Sequence, residues 1–185
     1  MKNSLLEILY KKSFRFDPEC GFTLASGKKS DLYVDVKKTL LSAEAMEMAG
    51  RALYSLIKEE DIEGVGGLTL GADSLAYASA MISNMDGKPM EVFIVRKEVK
   101  EHGTKSKIEG NLKEGARVVI FDDVATTGGS TIKAIERAKS AGYVVVKAVA
   151  FVDREEGGRE NIEKYCPFEA LFTRSDLLGI HNKKD

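Results

Sequence analysis

One stretch limits what this chain can fold into more than any other: Val118-Val119-Ile120-Phe121-Asp122-Asp123-Val124-Ala125-Thr126-Thr127-Gly128-Gly129-Ser130-Thr131. Four apolar residues, mostly β-branched, read as a buried strand. Two carboxylates stand where that strand ends, and a small, hydroxyl- and Gly-rich turn follows. Ile132 to Ala141 then reads as a helix, with apolar or small residues at Ile132, Ile135, Ala138 and Ala141. A turn that feeds a helix leaves backbone N–H groups free at the positive end of the helix dipole, which suits an anion and phosphate above all. Thr126, Thr127, Ser130 and Thr131 add hydroxyl donors. Asp122 and Asp123 would repel a phosphate in the same cradle, so they fit better against hydroxyl groups or a hydrated metal beside it. The pattern points to a ligand that is part phosphate and part polyol. The plainer alternative is a helix cap and a solvated carboxylate.

Two familiar phosphate motifs are excluded by spacing. A Walker loop needs Gly-x4-Gly-Lys-Ser/Thr, and the nearest spacing, Gly66 to Gly71, is followed by Ala72 and Asp73. A dinucleotide fingerprint needs Gly-x-Gly-x-x-Gly after a strand, and Gly64-Val65-Gly66 is followed by Thr69 where the third Gly belongs.

Length and composition set the frame. A chain of 185 residues favours one domain, 1–185, and 43% apolar residues suffice for a core. The net charge of −1 gives no global pull toward nucleic acid or an acidic membrane, so a polyanion must be gripped by local Lys/Arg clusters. Cys20 and Cys166 lie far apart without metal-ligand spacing, which reads as idle or buried thiols in a reducing compartment. Met1-Lys2-Asn3-Ser4-Leu5 lacks the apolar run of a signal peptide, and no apolar stretch is long enough to span a membrane. A soluble cytoplasmic protein with no nucleic-acid or membrane partner is expected.

Ser4 to Lys12 reads as an amphipathic helix with Ser4 and Glu7 as a capping box. Phe14-Arg15-Phe16 and Phe22 to Val36 read as short strands around a polar turn. Ala43 to Glu59 has helical periodicity, with Ala45, Met46, Ala49, Leu53, Leu56 and Ile57 near one face. Gly64 to Asp73 reads as a short strand and a Gly-rich turn, whose glycines would let backbone approach a ligand, with a helix from about Asp73 to Asn84 after it. The strand Val92-Phe93-Ile94-Val95 runs into Arg96 to Gly110, a long basic segment without apolar periodicity. Such a run is ordinarily a solvated loop. Loops longer than about 12–15 residues are uncommon in compact chains unless functional, and a mobile basic segment could close over a polyanion. Tyr143 to Val152 is a Val-rich strand with Asp153-Arg154 at its carboxyl end, where open parallel sheets bind ligands. A strand near Leu171-Phe172 and a short helix, Ser175 to Leu178, complete the chain. Strands alternating with helices give an α/β fold with a mostly parallel central sheet, flanking helices and right-handed crossovers.

The stretch around Asp122-Asp123 resembles the ribose-phosphate signature of the type I phosphoribosyltransferases. Two further segments are similar to one branch, the orotate phosphoribosyltransferases. They are Phe22-Thr23-Leu24-Ala25-Ser26-Gly27-Lys28-Lys29-Ser30 and the loop Arg96-Lys97-Glu98-Val99-Lys100-Glu101-His102-Gly103. The resemblance implies the type I phosphoribosyltransferase fold, with residues of about 1–40 as a hood over the base. It implies transfer of ribose 5-phosphate from phosphoribosyl pyrophosphate (PRPP) to orotate, giving orotidine 5′-monophosphate and pyrophosphate with Mg²⁺, in pyrimidine (UMP) biosynthesis. By the same resemblance PRPP is held by Arg96, Lys97, Lys100, His102, Asp122, Asp123, Val124, Ala125, Thr126, Thr127, Gly128, Gly129 and Ser130. Lys100, His102, Asp122 and Asp123 carry catalysis, and Thr126 and Arg154 orient orotate, whose carboxylate suits a forked guanidinium. Mg²⁺ is bound mainly through substrate and water rather than by protein ligands. The family works as a homodimer in which loop residues reach the neighbouring site. The sequence departs from the pattern at Ala25 and Leu70, where related enzymes often carry Lys. Two other functions remain: a PRPP-sensing regulator without turnover, and an enzyme acting on a purine or on uracil. Arg96, Lys97, Lys100 and His102 speak against the first, Arg154 and the hood against the second.

Overall fold

The computed structural model describes residues 1–19, 21–23, 29–98 and 107–183. Its centre is a six-stranded sheet in the order β10-β9-β8-β5-β6-β7. The strands are β5 (Gly64–Leu68), β6 (Glu91–Val95), β7 (Ile108–Glu109), β8 (Arg117–Ala125), β9 (Val144–Asp153) and β10 (Phe168–Thr173). All neighbours are parallel except β7, which runs antiparallel to β6. Two small ribbons precede the sheet: β1 (Phe14–Phe16) pairs with β4 (Leu32–Val34), and β2 (Phe22–Thr23) with β3 (Lys29–Ser30). The helices among the described residues are α1 (Lys2–Ser13), α2 (Val36–Leu40), α3 (Ala43–Ile57), α4 (Asp73–Met85), α5 (Gly129–Ser140), α6 (Gly158–Ile162) and α7 (Arg174–His181).

Side-chain alternation splits the sheet into two apolar faces. Val119, Phe121, Val149 and Phe151 point into a layer formed with α1, α3, α4 and α7, in which Leu5, Leu9, Leu53, Leu75 and Leu177 are fully buried. Val118, Ile120, Ala148 and Ala150 point the other way, against Ala134, Ile135 and Ala138 of α5 and Ile162 of α6. Burial on both faces explains why β8 and β9 read as continuous apolar runs. Leu5 and Leu9 share the first layer with the sheet, so the amino-terminal segment is built onto the main core. At the surface of that layer His181 Nδ1 and the Tyr10 hydroxyl lie 3.0 Å apart, clasping α7 to α1.

Several boundaries differ from the sequence reading. The first helix starts at Lys2 without a side-chain cap, so Ser4 and Glu7 sit inside it and form no capping box. Strand β8 does not end before the carboxylates. It continues through Asp122 and Asp123 to Ala125, because β9 stays in register with it as far as Ala125↔Asp153. Helix α5 begins at Gly129 rather than Ile132, because Gly128 takes a left-handed conformation (φ +83°) that turns the chain straight into the helix. Gly66 and Gly67 lie within β5, not in the turn. A Cβ there would strike the Phe93 and Phe121 carbonyls respectively, so these glycines admit neighbouring strands rather than a ligand. Helices α2 and α6 and strand β7 are short elements that the sequence reading left as connections. Cys166 is a buried free thiol, and among the described residues no helix is long and apolar enough to cross a membrane.

Candidate active site

The carboxyl ends of β5, β6 and β8 converge with the start of α2 around a cavity of about 360 Å³. Its walls are Lys37, Leu68, Thr69, Leu70, Gly71, Lys97, Asp122, Asp123 and Ser130. This is where an open α/β sheet binds ligands. Ser130, in the first turn of α5, supplies one side, with the turn Thr126–Gly128 leading into it. No side chain caps α5, so its leading N–H groups remain available to an anion. Asn161 of α6 steadies that turn, donating to the Thr127 carbonyl at 3.1 Å.

The two adjacent carboxylates occupy different environments. Strand alternation turns Asp122 inward, leaving it 5% exposed, and its Oδ2 accepts the Thr131 hydroxyl at 2.5 Å. Burial pushes its carboxyl up to about 7; the Thr131 bond opposes this, and the negative charge of Asp123 adds to it. Asp123 faces the cavity. Its Oδ1 accepts the Val124 N–H at 3.0 Å, and its Oδ2 lies 3.8 Å from Lys37 Nζ. Gly71 presses on this carboxylate: a Cβ at that position would lie 2.5 Å from the Asp123 carboxyl carbon. Asp123 is therefore the open acid, whereas Asp122 braces the end of β8 against α5.

The cradle residues divide between cavity and core. Ser130 lines the cavity, but Thr131 turns into the core, so its hydroxyl serves Asp122 rather than a phosphate. Thr126 and Thr127 lie in the turn, Gly128 precedes α5 and Gly129 opens it. Val124 and Ala125 close strand β8 and pack into the two apolar layers rather than lining the cavity. The Val124 N–H is bound to Asp123, and the Ala125 carbonyl accepts the Arg154 N–H at 2.8 Å.

Of the basic loop, Lys97 reaches the cavity wall. Arg96 is directed elsewhere, donating to Glu109 of β7 at 2.9 Å. A residue not anticipated from sequence secures both: the Arg137 guanidinium on α5 donates to the carbonyls of Arg96 and Lys97. Lys100 and His102, like Ala25, lie outside the described residues.

Arg154 lines a second cavity of about 330 Å³ with Lys29, Ser30, Asp31, Glu155, Glu156 and Arg174. It is 2% exposed, and its Nη2 donates to Ser30 Oγ at 2.7 Å, the Leu32 carbonyl at 2.9 Å and Glu156 Oε1 at 2.7 Å. The guanidinium thus ties the end of β9 to the amino-terminal ribbons, and Glu156 already occupies part of its fork. Ser30 is the last residue of the hood segment marked in sequence, and the pair with Glu156 is the ion pair with an adjacent acid that is the ordinary alternative for such an Arg, here buried rather than at the surface. Thr126 does not line this cavity.

Comparison with known proteins agrees with this geometry. Residues 37–169 match the phosphoribosyl transferase domain family. The chain is 47% identical over 178 residues to the orotate phosphoribosyltransferase of Aquifex aeolicus, covering 96% of this chain and 97% of that one. The chain belongs to the orotate phosphoribosyltransferase family. A second family member, from Nostoc, is 42% identical over 179 residues, covering 96% of this chain and 85% of that one. The crystal structure of Mycobacterium tuberculosis orotate phosphoribosyltransferase in complex with PRPP superimposes with a TM-score of 0.77 at 33% identity, covering 95% of this chain and 98% of that one. The architecture described above is thus the type I phosphoribosyltransferase fold, an α/β fold with a mostly parallel sheet.

Proposed function

We propose that this chain, acting as one domain over 1–185, transfers ribose 5-phosphate from PRPP to N1 of orotate, releasing pyrophosphate and supplying UMP synthesis. The observation that carries this is the near-full-length identity to orotate phosphoribosyltransferases, joined to a cradle that sets an open carboxylate beside an uncapped helix start. The first turn of α5, with Thr126, Thr127 and Ser130, holds the 5-phosphate. Asp123 takes the ribose hydroxyls and favours the positive charge that develops on the ring as pyrophosphate leaves. Asp122 holds the strand end in place through Thr131. Lys97, Lys100 and His102 neutralise the pyrophosphate, joined by Arg96 once it exchanges Glu109 for the ligand, and Lys100 or His102 supplies a proton.

Mg²⁺ fits a site of this kind. Asp123 offers one open carboxylate beside the cavity, and Asp122 is engaged by Thr131. The ion would therefore be held mainly by substrate oxygens and water, where it supplies charge neutralisation at the pyrophosphate.

Orotate is oriented by Arg154, with Thr126 meeting it from the turn outside that cavity. Arg154→Lys retains the charge opposite Glu156 but loses the planar fork, so the orotate KM should rise at least about tenfold while PRPP binding is spared. Steady-state kinetics with each substrate varied in turn reads this; an unchanged orotate KM removes Arg154 from the site. The acceptor is tested by mass spectrometry of the nucleotides formed from PRPP with orotate, uracil, adenine and hypoxanthine in parallel. Orotidine 5′-monophosphate alone is expected. A nucleotide of another base as the main product overturns the assignment of orotate.

The working form is a homodimer, with loop residues of Arg96–His102 serving the neighbouring site. Helix α4 supports this reading: Tyr77, Met81 and Met85 recur at helical spacing on its outer side and are exposed, beside exposed Leu41 and Leu70. Leu70 thereby has a place on an apolar face, which is a reason for it to differ from Lys. Met81→Glu should shift the mass measured by light scattering from dimer to monomer and lower activity with it. An unchanged dimer mass would exclude this face. The protein is placed in the cytoplasm, in keeping with the free thiol of Cys166.

A further inference from the structure

Lys37 was not among the residues that sequence pattern or resemblance marked, yet it stands in the wall of the main cavity. It belongs to α2, whose Val36, Thr39 and Leu40 are buried and fix the helix against the core. The long side chain leans over the carboxyl end of β8. Its ammonium lies 3.4 Å from Asp35 Oδ1 and 3.8 Å from Asp123 Oδ2. Among the described residues it makes no hydrogen bond: Asp35 Oδ1 is buried and itself lacks a hydrogen-bond partner despite the short separation. The ammonium is thus held near two carboxylates by charge alone, with its N–H donors free to meet a stronger acceptor.

The neighbours indicate which acceptor. The same cavity is lined by Thr69, Leu70 and Gly71 on one side and Lys97 on another. Leu70 offers no charge there. If Asp123 holds the ribose hydroxyls, as the proposed function requires, a cation some 4 Å from its carboxylate meets the group on the adjacent ring carbon. In PRPP that group is the pyrophosphate on C1. The 5-phosphate is at the far end of the ring, at the start of α5.

We propose that Lys37 is a pyrophosphate-binding residue of this active site, supplying from α2 the positive charge that Leu70 does not. The inference rests on the proposed function for the identity of the ligand, and its test does not need turnover. Wild type, Lys37→Met and Lys37→Arg are titrated calorimetrically with PRPP, with pyrophosphate and with ribose 5-phosphate, each with Mg²⁺. Loss of one charge-assisted hydrogen-bonding group should weaken PRPP and pyrophosphate by about 10- to 100-fold, leave ribose 5-phosphate unchanged, and be largely restored by arginine. In kinetics the PRPP KM rises while the orotate KM stays. Unchanged affinity for PRPP and pyrophosphate overturns the proposal, as does an equal loss for ribose 5-phosphate, which would signal disturbance of the whole cavity. Lys37 is 56% exposed, so the variants should fold; if methionine does not, Lys37→Gln gives the same readout. Binding that depends on Lys37 in a protein that transfers nothing to orotate would uphold this contact and sink the transfer reaction instead.

Discussion

Asp123→Asn is expected to lower turnover by about 100- to 1,000-fold, the range typical of removing one group aimed at a developing charge, while the protein stays folded. The Asp123 side chain is 18% exposed and turned to the cavity. Its contacts are the N–H of the next residue and a loose ion pair with Lys37. An amide oxygen can accept the same N–H, so the fold loses little. On the proposed role, what disappears is the negative charge beside the ribose ring when pyrophosphate departs. Asp123→Ala should therefore match Asp123→Asn in turnover, because charge rather than shape is the lost quantity. Gly71→Ala should mimic part of the defect by displacing the carboxylate from a distance of one side chain. Single-turnover kinetics and thermal unfolding on the same samples separate chemistry from stability. A loss of less than about tenfold for Asp123→Asn would mean that this acid is not the one facing the reacting ring.

Its neighbour should behave oppositely. Burial holds the Asp122 carboxyl at about 7, against an ordinary value of 3.8. Below about pH 4 the group is protonated in both the folded and the unfolded chain. Between about pH 4 and 7 the folded chain keeps its proton while the unfolded chain releases it. The folded state then binds more protons, so stability falls as pH rises through this window and levels off above it. Asp122→Asn is neutral throughout and still accepts the Thr131 hydroxyl, so its stability should lack this slope and exceed wild type at pH 8. Urea unfolding of both proteins from pH 4.5 to 8 checks it. Parallel stability curves would show that Asp122 is charged in the folded protein across the range.

The contrast between two adjacent acids shows where sequence ran out. The run Val118–Phe121, the turn and α5 were legible because strand and helix periodicity are local properties, and the cradle follows from their order. That Asp122 is buried and Asp123 open depends on strand alternation continuing past the apolar run. This in turn depends on β9 remaining paired as far as Asp153, a partner distant in sequence. Thr131 carries no sign of its role until α5 is known to start at Gly129, which sends Ser130 to the cavity and Thr131 to the core. Lys37 and Arg137 are ordinary basic residues in sequence. Only packing of α2 and α5 against the sheet brings one to Asp123 and the other to the carbonyls of Arg96 and Lys97. Arg154 stands out in sequence as a residue at the end of a strand, and its ion pair with Glu156, two residues on, is local, but its bond to Ser30 reaches across to the amino-terminal ribbons. Long-range pairing of that kind leaves no periodic trace.

Orotate transfer at this cavity is open to test by a single progress curve. Purified protein is mixed with orotate and Mg²⁺, and orotate absorbance is followed before and after PRPP is added. Absorbance should hold steady until PRPP arrives, fall in its presence, and return in part when excess pyrophosphate is added to drive the reaction backwards. Absorbance that does not change in a protein shown by calorimetry to bind PRPP would contradict it, leaving a PRPP-binding protein without transferase activity.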